Sequence, residues 1–490
     1  MGDDAAVPGD TTRQDRPGAQ DVPALRLALL GLAGASIEWY DFFIYATAAA
    51  LVFPRLFFSE TLPPLVALIA SFSTFAVGFL ARPGGAVLFG HLGDRVGRKS
   101  AFAAALITMG AATTLIGVLP SYHAMGVFAP IALVLLRFTQ GLAVGGQWGG
   151  AILLAIESAP KSRRGLYGSI VQASVPLGVV LANLAFLVTN AVMSPAAFMA
   201  YGWRIPFLGS IALVGLGMFI QVRLADTVAF RQLQASERAP PTGRISPVFE
   251  VLRSCPRLIL IAGGAGVGNI LAFYILITYV VAYGTSAAGL QLPRGTMLGA
   301  VLIAQIATAP VTCLAGMVSD RYGRRRICMT GVALMGVWAF VLFPLLETRS
   351  PLWITVAISV GFCVLSLTYG PLAALFAETF STRVRYSAVS LAYQIAGVVG
   401  GGLAPIIATA LFARFHSNLS ISIYIAAACA LSWVCLGMLK SRHDTQLDDY
   451  AEPALAKAVD TLVTFSARLS RAAVYSTKPW RGRRDGGTSR

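Results

Sequence analysis

Long apolar segments alternate along this chain with short clusters of Lys, Arg, Gly and Pro. At about 20 apolar residues per membrane crossing, the pattern predicts spans near 25–53, 65–90, 101–119, 125–157, 166–190 and 203–224. A second set follows near 257–284, 295–319, 326–346, 352–378, 387–412 and 419–440. The expected fold is an all-α membrane protein with twelve transmembrane helices in two six-helix bundles. Its parts are a polar tail at 1–24, a bundle at 25–224, a linker at 225–256, a second bundle at 257–440 and a tail at 441–490. The first tail is rich in Asp, Gly, Pro and Thr and lacks the apolar core of a cleavable signal, so disorder is expected there. The linker contains Pro240, Pro241 and Pro247. In the last segment Leu455, Val459, Leu462, Val463 and Leu469 recur at helical spacing, predicting a short interfacial helix or, as the alternative, a disordered tail with a basic end.

Composition supports the lipid reading. Of 490 residues, 56% are apolar and 12% charged, about half the charge of a soluble surface. The net charge of +16 raises nucleic acid as a partner, but no segment combines a basic stripe with stacking aromatics. The charges sit instead between spans. One set of loops holds Arg95, Arg98 and Lys99, then Lys161, Arg163 and Arg164, then six arginines from Arg223 to Arg257, then Arg321, Arg324, Arg325 and Arg326, then Arg383 and Arg385. The opposite loops hold Arg55, Arg294, Arg349 and Arg414. The first set is therefore expected to face the cytoplasm and its anionic lipid headgroups, with both termini on that side of the cell membrane. Six cysteines show no metal or redox spacing, and no cofactor or metal site is expected.

The halves repeat each other. Gly90-His-Leu-Gly-Asp94-Arg95-Val-Gly97-Arg98-Lys99 recurs as Gly316-Met-Val-Ser-Asp320-Arg321-Tyr-Gly323-Arg324-Arg325, and Glu157, Arg164 and Gln172 recur as Glu378, Arg385 and Gln394. Parallel six-span halves suit a rocking-bundle carrier with its site near the midplane. Asp94 and Asp320 can each cap a neighbouring helix N-terminus and bind nearby arginines, or the loop can simply set topology. The decapeptide resembles the signature loop of the major facilitator superfamily. That resemblance implies a cytoplasmic latch made by Asp94, Arg95, Arg98, Asp320, Arg321, Arg324, Glu157, Arg164, Glu378 and Arg385.

Charge inside a span is costly and marks function or pairing. Leu136-Arg137-Phe-Thr-Gln140-Gly141 resembles the superfamily's Arg-x-x-Gln-Gly motif, associated with proton coupling. Glu38 and Asp41 lie three residues apart on one helical face. Each costs about 2.5–3.5 kcal/mol at a bilayer centre when charged, and binding a proton removes that cost. Glu38-Trp39-Tyr40-Asp41-Phe42, Phe79-Leu-Ala-Arg82-Pro83 and Gly141-Leu-Ala-Val-Gly145-Gly146-Gln147-Trp148 resemble the metabolite:proton symporters, which carry shikimate, 2-oxoglutarate, citrate and proline or betaine. Where that branch usually has Glu, this chain has Gln147, which leaves the proton role to the first-span acids.

The reading is a monomeric proton-coupled symporter, not an enzyme, that imports a small polar metabolite, with the proton as coupling ion. Glu38 and Asp41 are expected to bind the proton, and Arg137, Gln140, Tyr40, Tyr45, Gln147, Arg82 and Arg204 to bind the substrate. The three arginines favour a carboxylate. An exporter or uncoupled facilitator, and a non-transporting sensor, are the alternatives.

Overall fold

The structure is a computed structural model that describes residues 24–225, 253 and 255–439, apart from 97, 146–151, 154, 158 and 382–384. The expected tails, most of the linker and the helix expected near 453–473 lie outside the described residues. Among those described, ten helices are long and apolar enough to cross a membrane. An eleventh span is the pair Pro195–Gly202 and Arg204–Phe219, bent by 47°. The shorter apolar helix Ala103–Val118 stands where the third span is predicted. The order is therefore that of twelve spans, with the sixth beginning earlier than hydropathy suggests. Its polar Tyr201-Gly-Trp-Arg stretch is wound into a π turn, Phe198–Gly202, followed by a bend.

The halves pack alike. The second span lies on the fourth and the first on the sixth; correspondingly, the eighth lies on the tenth and the seventh on the twelfth. The fifth span meets the eighth and tenth, the second meets the eleventh, and the first meets the seventh, so the midplane of the molecule lies between these pairs. Two of the facing helices carry π segments near their centres, Ile275–Tyr279 in the seventh span and Gly397–Gly402 in the eleventh. A π turn adds a residue and shifts the helical phase beyond it.

The tightest packing within the first half brings two arginine-bearing helices together. A Cβ on Gly85 of the second span would overlap the Leu142 carbonyl of the fourth, and a Cβ on Gly145 of the fourth would overlap the Arg82 carbonyl of the second. Small residues let membrane helices approach to backbone contact, where dispersion replaces the hydrophobic drive that lipid cannot supply. Gly145→Val should therefore force these spans apart and lower stability by about 1–3 kcal/mol. Gly215→Val, at a position with open space around it, should not. Thermal melting of the purified variants in detergent checks the contrast, and equal melting temperatures would contradict the packing argument.

Candidate functional site

Arg82 and Arg137 project from the two helices that the glycines hold together, and they are 2% and 1% exposed. The Arg137 guanidinium stacks on the rings of Phe42, Tyr45 and Phe75 at 4.5, 4.2 and 4.8 Å, and that of Arg82 on Phe42 and Phe79 at 4.8 and 4.2 Å. Both cations thus share the Phe42 ring and lie within about 10 Å of each other. Each desolvated cation–π contact contributes up to about 2 kcal/mol. Arg137 Nη1 also donates to Gln140 Oε1 at 3.0 Å, and Gln140 Nε2 donates to Thr113 Oγ1 at 2.7 Å. Yet Nε and Nη2 of each arginine have no hydrogen-bond partner. Among the described residues no ion pair engages either guanidinium. Arg82 is also hydrogen-bonded to the Tyr274 hydroxyl. Two buried cations held by ring faces, one amide and one phenol are an incomplete site, because a buried charge is normally paired.

Tyr274 of the seventh span and Tyr393 of the eleventh stand beside Arg82 and form part of the wall of a central cavity. Trp39, Pro176, Asn269, Thr308, Thr312 and Ser366 also line it. The cavity is about 30 Å³, room for about two waters. The arginines lie behind its aromatic wall rather than in it, since Phe42 and Phe79 pack edge-on against Tyr274 at 6.2 and 5.2 Å. The second-half side chains of this cavity were not among the sequence candidates. Their signal was available as Asn, Thr and Ser within otherwise apolar spans.

The first-span acids stand apart from the arginines. Asp41 is 1% exposed, and Ser210 Oγ of the sixth span donates to its Oδ1 at 2.5 Å. No cation faces it among the described residues. Glu38, one turn earlier, is half-buried. Tyr45 OH is hydrogen-bonded to Thr74 Oγ1 at 2.6 Å beneath Arg137, so Tyr45 belongs to the arginine cage.

Two sequence candidates for substrate contact sit elsewhere. Tyr40 OH donates to the Pro206 carbonyl at 2.7 Å, tying the first span to the sixth. Arg204 Nη1 donates to the carbonyls of Gly117 and Leu119 at 2.8 and 2.7 Å, and its guanidinium stacks on Trp203. Arg204 caps the end of the third span, where the last carbonyls of a helix lack partners, and is corrected from a substrate ligand to a cap. Gln147 lies outside the described residues.

At the end bearing the basic loops, the halves are bridged by charge. Asp320, at the end of the eighth span, accepts the backbone N–H of Gly165 and Leu166 at 2.8 and 2.9 Å, which caps the helix beginning at Arg164. Arg324 Nη2 donates to Asp320 at 2.9 Å, and its Nη1 pairs with Glu378. Arg385 Nη1 pairs with Glu157 at 2.9 Å. Arg164 is buried near Arg324, whereas Arg321 is exposed over Tyr322. The side chains of Asp94, Arg95 and Arg98 lie outside the described residues. At the opposite end the bridge is softer: Arg294 Nη2 contacts Met199 Sδ at 3.3 Å and its guanidinium lies over Phe198 at 5.4 Å.

Known proteins share this construction. The sequence model of the Major Facilitator Superfamily matches residues 22–405 and 295–473. The inner membrane metabolite transport protein YhjE of Escherichia coli is 38% identical over 426 residues, covering 86% of this chain and 95% of that protein. The shikimate transporter of the same species is 39% identical over 433 residues, covering 88% and 98%. The xylose transporter XylE from E. coli, in a partially occluded inward-open conformation, shares the fold with a TM-score of 0.64 at 15% identity, covering 86% of this chain and 99% of that one. With twelve spans in the same order and relatives matched along nearly their whole length, the chain belongs to the major facilitator superfamily and is a carrier of metabolites, not an enzyme.

Proposed function

We propose that this carrier imports a small carboxylate-bearing metabolite together with a proton. The observation that carries the reading is the pair of buried guanidiniums, Arg82 and Arg137, whose Nε and Nη2 groups have no partner. A carboxylate arriving from the cavity supplies the missing charge, and guanidinium forks match its two oxygens. The kinship with a shikimate transporter, whose substrate is a carboxylate, supports the same class. Asp41 supports the proton: it is buried beside one hydroxyl with no cation facing it among the described residues, and a proton neutralises it without any other group moving. Glu38 is the second candidate on the same helix.

The basic loops and both termini then face the cytoplasm of a plasma membrane, where the loops meet anionic headgroups. The Asp320, Arg324, Glu378, Glu157 and Arg385 contacts form the cytoplasmic gate. The protein works as a monomer and needs no cofactor beyond the coupled proton. Alternating access follows when the gate separates and the Phe42, Phe79 and Tyr274 rings uncover the arginines.

Uptake by proteoliposomes tests the reading, with labelled shikimate as probe and an inward pH gradient as drive. Arg137→Gln and Arg82→Gln should each raise the half-saturating concentration about 30-fold or more, the order expected when one partner of a buried charge pair is lost. Unchanged values would remove the arginines from the site.

Asp41→Asn should abolish accumulation driven by the pH gradient, because an amide holds no exchangeable carboxyl proton. Exchange of labelled for unlabelled substrate should survive, since the amide imitates the neutral acid and lets the loaded carrier reorient. If accumulation persists in Asp41→Asn, Glu38→Gln and the double variant, the coupling assignment fails. Wild-type flux indifferent to pH would instead indicate a facilitator, and binding without flux a sensor.

Asp320→Asn keeps the shape of the cap but weakens its acceptance from Gly165, Leu166 and Arg324, each such bond to a charged group contributing about 1.5–3 kcal/mol. Thiol labelling of single cysteines placed along the cytoplasmic ends of the fifth and eighth spans should rise while transport falls. Unchanged labelling with normal flux would contradict the gate.

A further inference from the structure

Gln305 lies within the eighth span and is 0% exposed, and neither its Nε2 nor its Oε1 has a hydrogen-bond partner. A primary amide with both ends unsatisfied in a membrane interior is expensive, and such groups are retained where something else completes them. Gln305 is not itself part of the wall of the central cavity, but two observations place it next to that wall, on the same helix face and at the same level. Thr308 and Thr312, which line that cavity, follow it by three and seven residues and so share its helix face. The register of the fifth and eighth spans gives the same level. Gly165 meets Gly316, and Ser169 Oγ contacts the Cys313 carbonyl. Continuing that antiparallel register brings Gln305 level with Pro176, which lines the cavity.

The neighbouring hydroxyls are arranged to accept. Thr308 Oγ1 donates to the Ala304 carbonyl at 2.7 Å, Thr312 Oγ1 to the Thr308 carbonyl at 2.9 Å, and Ser366 Oγ to the Phe362 carbonyl at 3.1 Å. Thr312 Oγ1 and Ser366 Oγ are also hydrogen-bonded to each other at 3.0 Å, and the lone pairs that these bonds leave over can accept from a ligand. Among the described residues no carboxylate lines the cavity. This face is therefore neutral and rich in acceptors; the Asn269 amide in its wall donates to the Leu365 carbonyl at 2.9 Å, while the Gln305 amide beside it has both its donor and its acceptor unused.

We propose that Gln305, with Thr308, Thr312 and Ser366, forms a second subsite that reads the hydroxyl groups of the substrate, opposite the arginines that take its carboxylate. The inference rests on the carboxylate reading above and narrows it to hydroxylated carboxylic acids. A hydroxyl can donate to the threonine and serine oxygens and exchange both kinds of bond with the Gln305 amide. A trimethylammonium group has no N–H to give them. An acid that lacks hydroxyls leaves the whole face unsatisfied, and sites built to bond a hydroxyl reject analogues without one.

The test uses the purified full-length chain and calorimetric binding of three matched pairs: shikimate and cyclohex-1-ene-1-carboxylate, citrate and tricarballylate, malate and succinate. In at least one pair the wild type should bind the hydroxylated acid about tenfold or more tightly than its deoxy partner. Gln305→Leu should erase about tenfold of that preference by weakening the hydroxylated acid alone, with the deoxy acid unchanged. Thr308→Val, a milder change of similar shape, should reduce the preference in the same direction. Gln305→Leu should melt no lower than wild type without ligand, because it removes an unsatisfied amide rather than a bonded one.

Equal loss for both members of a pair, or a preference that survives both substitutions, overturns the subsite while leaving the carboxylate reading intact. So does tighter binding of glycine betaine than of every hydroxylated acid by the wild type. If wild type binds none of the six acids, the carboxylate reading fails and the subsite fails with it.

Discussion

A guanidinium in the interior of a membrane protein is stable only if something replaces its water, and here two of them share one ring. Arg82 and Arg137 are held by the faces of Phe42, Phe79, Phe75 and Tyr45. Ring quadrupoles offset part of the desolvation without neutralising the charge. That partial compensation is what the proposed carboxylate site requires: a carboxylate built into the protein would compete with such a substrate, whereas ring faces leave Nε and Nη2 of each guanidinium unfilled. The arrangement depends on backbone contact between the second and fourth spans at Gly85 and Gly145. Like charges at this separation repel, so the close packing and the aromatic cage must act together.

The two ends of the molecule are closed by different physics. At the basic end, the Asp320 cap on Gly165 and Leu166 and the Arg385–Glu157 pair join the halves, and Arg324 braces Asp320 and Glu378 within the second half. Such contacts depend steeply on geometry and reach full strength only when the partners are aligned. At the other end the joining contacts include an arginine against a thioether and a ring, at Met199 and Phe198. These tolerate sliding and weaken gradually. A carrier with one sharply defined closure and one compliant closure has unequal opening costs, and substrate charge binding between them can rebalance the two.

Much of this was legible in the sequence because depth in a bilayer is written in hydropathy. The twelve spans, the repeated loop that puts Asp320 beside a helix N-terminus, and the interior position of Arg137 all follow from depth and from the internal repeat. Direction around each helix was not legible. Tyr40 turns toward Pro206 and Arg204 toward the end of the third span, although both sit in motifs that suggested a ligand role. Gln305, Thr308 and Asn269 went unnoticed because an apolar span hides which face is inward. The π segments at Ile275–Tyr279 and Gly397–Gly402 add to the difficulty. Each inserts a residue, so a face extrapolated at 3.6 residues per turn is rotated by about 100° beyond it.

Asp41 and the arginines are not an ion pair, and under the proposed function this constrains how a proton at one would be coupled to a carboxylate at the other. Asp41 is bound to Ser210 of the sixth span, while Phe42, the next residue, is the ring on which both guanidiniums stack. The same short stretch of the first span therefore holds the proposed proton site on one side and the stacked cations on the other. A charged Asp41 must seek water or a cation, and the first span turns or shifts to provide it. A protonated Asp41 can remain against Ser210 with Phe42 seated between the arginines. On this account the coupling element is the rigid helix itself: proton and substrate favour the same setting of the first span without touching, and each raises the affinity for the other by the same factor.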